Sequence, residues 1–245
     1  MKKLNVFIFR KYIVNLCIFG LVVLVGIAAL VGVNFSGRNS AETATSQGAI
    51  YQGDTSSNKI SLMINVCWGT EYLGDMLQTL EEKNAKVTFF VGGVWAADNE
   101  ALLLDMVEKG HEIGNHAYSH KDHDKLTKES SKKEISTTHN LVHSITGKDM
   151  NLFAPPSGAY NSQTVEAAKE LGYKTIMWTR DTIDWRDQDV ETIYNRAVNN
   201  AKGGDLILMH PTACTRDALS RIIDTLTSQG FELVSVGENL AGLAA

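Results

Sequence analysis

The chain has 245 residues, 44% of them hydrophobic, with 23 Lys and Arg against 28 Asp and Glu. That length holds one sizeable domain plus an appendage, and a core of that size needs no disulfide staples. From residue 59 onward the balance is 18 basic against 26 acidic side chains, which leaves no electrostatic footprint for nucleic acid and suits a neutral or cationic substrate.

Residues 1–12 carry Lys2, Lys3, Arg10 and Lys11 and no acid. Residues 13–33 are uncharged and mostly apolar, with Asn15 the only strongly polar member. At 1.5 Å per residue such a run crosses a bilayer core of roughly 30 Å, whereas a cleavable signal peptide has an apolar centre of about 7–15 residues. Residues 1–34 are therefore predicted as one uncleaved transmembrane anchor at the cell membrane. Its basic end lies in the cytoplasm and the C-terminal domain outside. Small residues near Ala28 and Ala29 keep a removed signal peptide as the competing reading. Residues 35–58 are rich in Ser, Thr, Gly, Ala and Gln and are predicted as a flexible linker.

Residues 59–245 alternate short apolar runs with helical periodicity. The strand-like runs are 60–66, 86–91, 111–113, 151–154, 173–178, 205–209 and 231–234. Between them lie helical stretches at 72–83, 101–109, 128–145, 162–171, 190–201 and 216–228, with Gly110, Gly147, Gly172, Gly203 and Gly230 at their breaks. Such alternation requires a mostly parallel sheet with helical crossovers, either closed into a barrel or left as an open doubly wound sheet. Functional groups then belong beyond the carboxyl ends of the strands. Asn65, Cys67, His116, His120, Pro155, Tyr160, Asp181, Asp184, Trp185 and His210 all fall there.

His116 and His120 stand four apart, a spacing that on a helix turns both rings one way. Neutral imidazoles bind zinc and similar ions, although such a pair alone also fits ordinary loop histidines. Four stretches occur in order: GHEIGNHAYSH (110–120), FAPPSGAYN (153–161), DTIDW (181–185) and LILMH (206–210). Together they resemble the ordered motifs of the polysaccharide deacetylase family, the NodB-type carbohydrate esterases, from about residue 59 to 240. With the apolar run and INVCWGTEY (64–72), the chain looks most similar to the sporulation-associated branch.

The resemblance implies a distorted (β/α)₇ barrel of the NodB type behind the anchor helix. It also implies a membrane-anchored hydrolase that removes acetyl groups from peptidoglycan or chitin-like glycan, using a divalent metal, with zinc foremost. By the same resemblance His116 and His120 are metal ligands, His210 the general acid and Asp184 the carboxylate that orients it. Tyr160 supplies a backbone N–H to the oxyanion. Trp185 walls the acid, with Pro155 and Trp68 beside the substrate.

The chain departs from the family in its first motif. Where the family has two aspartates, a base and a metal ligand, this chain has Asn65 and Val66, and where the family pairs an Arg with the base it has Ala154. An amide takes no proton at neutral pH and a valine binds no metal. Glu71, Cys67 and Asp181 are the candidate substitutes: Glu71 as ligand or base, Cys67 as a soft ligand, Asp181 as base. Their alternatives are a first-turn Glu on a helix dipole, a small buried thiol and a loop-ordering carboxylate. Cys67 and Cys214 both follow rim strands and a bond between them stays open. His111 is expected in the core or at a strand edge, His123 facing solvent, and His139 and His143 on the surface. The competing function is a catalytically silent glycan-binding or scaffold protein on the same fold.

Overall fold

The computed structural model describes residues 48–242. The predicted anchor, 1–34, and most of the predicted linker lie outside them. Among the described residues no helix is long and apolar enough to cross a membrane.

Eight strands form one parallel sheet: β1 (Lys59–Val66), β2 (Thr88–Val91), β3 (Glu112–Asn115), β4 (Leu152–Phe153), β5 (Lys174–Thr175), β6 (Arg180–Asp181), β7 (Leu206–Met209) and β8 (Glu232–Leu233). The helices between them are α1 (Thr70–Glu82), α2 (Gly93–Asp98), α3 (Glu100–Glu108), α4 (Lys128–Thr146), α5 (Ser162–Glu170), α6 (Val190–Val198), α7 (Ala213–Ser228) and α8 (Val236–Leu240). The spatial order is β5-β4-β3-β2-β1-β7-β6, with β8 on the first two residues of β1. All seven predicted runs are strands.

The fifth run differs from its prediction. Within it only Lys174–Thr175 form a strand, β5, which pairs β4, and the next strand, β6, starts two residues past the run and pairs β7. Those two strands are the opposite edges of the sheet, yet only residues 176–179 separate them. A flat sheet of seven strands is roughly 29 Å wide at about 4.8 Å per spacing. A four-residue connection reaches at most about 17 Å. The sheet therefore has to curl into a half-barrel whose two edges one extended segment brings together.

Alternation along the strands makes two cores. Ile60, Leu62, Ile64 and Val66 of β1 face the helices in the outer core. Met63, Phe90, Leu152, Ile176 and Leu208 fill the barrel, and Val236 and Leu240 of α8 close it from below. Gly114 is small for a reason: a Cβ there would lie 2.4 Å from the Phe90 ring. Glu112 pins α8 beneath the barrel by accepting from Thr88 Oγ1 (2.6 Å) and Gly237 N–H (3.0 Å).

Two expectations are corrected here. Residues 48–58 are built into the domain and do not behave as linker. Ile50 pairs with Ile176, its N–H donating to Thr175 O (2.8 Å). Gly53 N–H donates to Gly204 O (2.7 Å) and Asp54 N–H to Asn239 O (3.1 Å). Polar composition hid this because the segment is held through its backbone. His123, expected in solvent, is fully buried against Phe153 with neither ring nitrogen hydrogen-bonded. By contrast, His111 is buried edge-on to Phe89, as expected. His139 and His143, half-buried and exposed respectively, both lie near Asp149, whose Oδ1 is 2.9 Å from His143 Nδ1.

Burial pushes the His123 imidazole from 6.5 down to about 4. Between those values the unfolded chain takes up a proton that the folded chain refuses, so stability falls as pH drops through the window. His123→Leu removes this difference. In urea unfolding followed by circular dichroism, the variant is expected to lose about 2 kcal/mol less than wild type between pH 7 and pH 5. Parallel losses would contradict a buried neutral imidazole at this position.

Candidate metal and glycan site

The carboxyl ends of β1, β3, β4, β6 and β7 surround a cavity of about 380 Å³. Asn65, His116, His120, Asp181 and His210 line it, with Trp68, Trp178 and Trp185 as an aromatic wall. No Lys or Arg lines it.

His116 follows β3 directly and is 1% exposed. Its Nδ1–H donates to Ala154 O at 2.8 Å, which leaves Nε2 as the free nitrogen. Burial drives its pKa down to about 3, and burial also lowers His120. Both rings are therefore neutral, the form that ligates metal.

The segment 116–120 is not helical, contrary to the spacing argument. Ala117 and His120 have φ of 61° and 52°, and this turn brings the two rings to 5.1 Å between centroids. The turn wraps a carboxylate: Glu134 of α4 accepts from Tyr118 N–H (3.1 Å), Ser119 N–H (2.7 Å) and the Ser119 hydroxyl (2.8 Å). Lys121 completes the cluster at 3.1 Å. Partial burial works against the Glu134 charge, but these donors win and hold its pKa below the ordinary value. Asn115 supports the turn from inside, its Oδ1 accepting from Ala117 N–H (2.9 Å).

On the opposite wall, His210 Nδ1–H donates to Asp184 Oδ1 at 2.8 Å. The other Asp184 oxygen accepts the His210 backbone N–H (2.6 Å) and the Thr215 hydroxyl. Asp184 is 1% exposed and saturated, so it fixes the His210 tautomer and leaves Nε2 for the cavity. Trp68 stacks on His210 at 5.8 Å and 6°. Gly69 makes that stack possible: it has φ 73°, and a Cβ there would strike Pro211 O at 1.9 Å.

Asn65 faces the cavity at 4% exposure, and its Oδ1 has no hydrogen-bond partner. Val66 packs into the outer core. Cys67 lies with His116 and His120, one ligand atom from each within 4.8 Å of the others. Burial pushes its free thiol up to about 11. Asp181 lines the cavity, and its Oδ1 accepts Ile183 N–H at 2.8 Å.

Other expected residues fall elsewhere. Glu71 is exposed on the first turn of α1 and does not line the cavity. Pro155 is buried, and its neighbours Ser157 and Gly158 line the cavity in its place. Tyr160 does not line the cavity; its hydroxyl lies 2.8 Å from that of Tyr51, and burial with this bond raises its pKa to about 12. Cys67 and Cys214 are both free thiols. Trp178 and Leu208 were legible from strand alternation, which aims them inward with Ile176. Glu134 carried no local signal, because its partners lie 13–16 residues away.

Replacing Glu134 with Ala strands two backbone N–H donors. A loss of about 1–3 kcal/mol is expected in denaturant unfolding, with Glu134→Gln less harmful because one acceptor oxygen remains. Equal stability of Glu134→Ala and wild type would contradict the carboxylate-centred turn.

Residues 52–176 match the family model described as Polysaccharide deacetylase. The protein YlxY of Bacillus subtilis is 36% identical over 189 residues, covering 77% of this chain but only 59% of the relative. A peptidoglycan-N-acetylglucosamine deacetylase of Bacillus cereus is 34% identical over 175 residues, 69% of this chain and 82% of the relative. Among solved structures, BA3943 of Bacillus anthracis, a CE4 family pseudoenzyme, superposes with a TM-score of 0.77 at 34% identity, covering 80% of this chain and 70% of that one. A mutant of that pseudoenzyme with restored enzymatic activity superposes equally well. The motifs, the half-barrel and these matches agree: the chain belongs to the polysaccharide deacetylase family.

Proposed function

We propose that the chain recognises N-acetylated cell-wall glycan at this mouth, and that its chemistry stops short of the family's hydrolysis for want of a general base. One observation carries the reading. The inward position at the end of β1 holds Asn65, an amide that accepts hydrogen bonds but takes no proton. Ala154, where the family's arginine would stand, is fully buried in the barrel core, so no cation is left there without a partner. The amide and the alanine form a neutral, packable pair.

The remaining groups suit an uncharged sugar. Trp68 and Trp185 are 43% and 54% exposed and offer apolar faces to a pyranose ring. His210, its Nδ1 committed to Asp184, presents Nε2 for a hydrogen bond to a ligand oxygen or nitrogen. His116, His120 and Cys67 fit a divalent ion. A tetrahedral zinc sets its ligand atoms roughly 3.5 Å apart, which small side-chain rotations reach from the spacing found. Such an ion supplies Lewis acidity toward an acetyl carbonyl when bound.

A second reading is favoured by Asp181, a carboxylate that lines the cavity with one oxygen committed to Ile183. It makes the chain a hydrolase with a relocated base. The proposal also extends to location: the apolar run 13–33, with the basic residues before it, supports an anchor that holds the domain outside the cytoplasm, and INVCWGTEY (64–72) supports a link to sporulation. Membrane fractionation with protease protection tests that topology.

The function is tested on N-acetylated chitin and peptidoglycan oligomers by calorimetry and acetate release. Wild type is expected to bind and to release acetate at a rate lower by about 10²–10⁴-fold than Asn65→Asp. Val66→Asp is expected to unfold the domain and not to help, because Val66 faces the outer core. Release by wild type that Asn65→Asp does not raise, but Asp181→Asn abolishes, would replace the first reading with the second.

A further inference from the structure

We infer that Cys67 takes the third ligand place beside His116 and His120, making a Cys–His–His site selective for thiophilic divalent ions such as zinc over hard ions such as manganese. The inference deepens the metal reading above and rests on His116 and His120 being ligands.

Three observations converge. The ligand atoms of Cys67, His116 and His120 lie within 4.8 Å of one another, and they are the only such cluster of three among the described residues. The chain positions Cys67 firmly. Gly92 N–H donates to Val66 O at 2.9 Å on one side, and the left-handed turn at Gly69 holds the other. Second, no carboxylate joins the cluster: Asp181 lines the cavity but is not among the three residues whose ligand atoms lie together. Val66 packs outward, Glu71 is exposed away from the cavity, and Asp184 is saturated. Third, the buried Asn65 Oδ1 faces the same cavity with no protein partner. It is placed to accept from a water or ligand in that cavity.

The donor set decides the metal class. Thiolate with imidazole favours zinc and other soft or borderline ions, whereas carboxylate and water favour magnesium, calcium and manganese. Exchanging a hard oxygen for sulfur therefore changes which ion occupies the mouth.

The test uses the full-length chain purified without a histidine tag and dialysed against equal zinc and manganese. Metal content is read by mass spectrometry, and folding is checked by circular dichroism. One zinc and no manganese per chain is expected. Cys67→Ala is expected to weaken zinc binding at least tenfold while staying folded, and Cys67→Asp to admit manganese. The cobalt form is expected to show a thiolate-to-cobalt charge-transfer band in the near ultraviolet that Cys67→Ser lacks. Zinc binding unchanged in Cys67→Ala, or a cobalt form without that band, overturns the inference while leaving His116 and His120 as ligands. Zinc binding unchanged in His116→Ala overturns the metal reading itself.

Discussion

Four residues between β5 and β6 set the geometry of everything else. They are too few to cross a flat seven-stranded sheet, so the edges must meet and the sheet must curl. Because all the strands run parallel, curling gathers their carboxyl ends into one ring. Side chains from five separate strand ends then share one cavity without any sequence proximity. Ile50 bonds the side of β5 away from β4, so residues before β1 help to complete this wall.

Within that ring, three sites differ from the family pattern in ways that depend on one another. Asn65 removes a buried charge; Ala154 removes the counter-charge that would otherwise be stranded at a cost of about 3–5 kcal/mol; Cys67 offers a potential anion one residue past Val66, where the family has its metal aspartate. The backbone explains the shift. Residues of β1 alternate between barrel and helices, so Asn65 faces in and Val66 faces out. Two residues past Asn65, Cys67 keeps the inward side of that alternation and faces the histidines.

The sequence made the strands legible because each is a short apolar run between helix breaks, and the rim rule then sorted His116, His120, His210 and Asp184 onto one face. What it could not give were features set by distant partners. The run 173–178 reads as one strand, but pairing with β4 ends at Thr175 and the strand that pairs β7 begins only at Arg180, an exchange of neighbours that leaves no local mark. The spacing of His116 and His120 reads as helical, yet Glu134 supplies an acceptor that makes a left-handed turn the stable choice. His123 sits among Asp122, Asp124 and Lys125 and reads as solvated, while its backbone turns the ring onto Phe153. Glu71 and Pro155 were placed by proximity in sequence, but Glu71 is exposed on α1 and Pro155 is buried, so neither lines the cavity.

The survival of His210 and Asp184 does not by itself argue for hydrolysis. Asp184 is buried, and it accepts from the His210 ring, the His210 backbone and the Thr215 hydroxyl at the start of α7. Removing it would leave donors from two elements unpaired in the interior, a penalty of about 1–3 kcal/mol for each. His210 in turn carries Trp68, which fixes the turn leading into α1. This dyad therefore ties the β6, β7 and β1 loops together whether or not a proton ever moves through it. A group that stabilises the mouth persists when catalysis is lost, whereas Asn65 has no such second duty: its Oδ1 bonds nothing in the protein. The amide at the base position thus says more about the chemistry of this chain than the intact acid facing it.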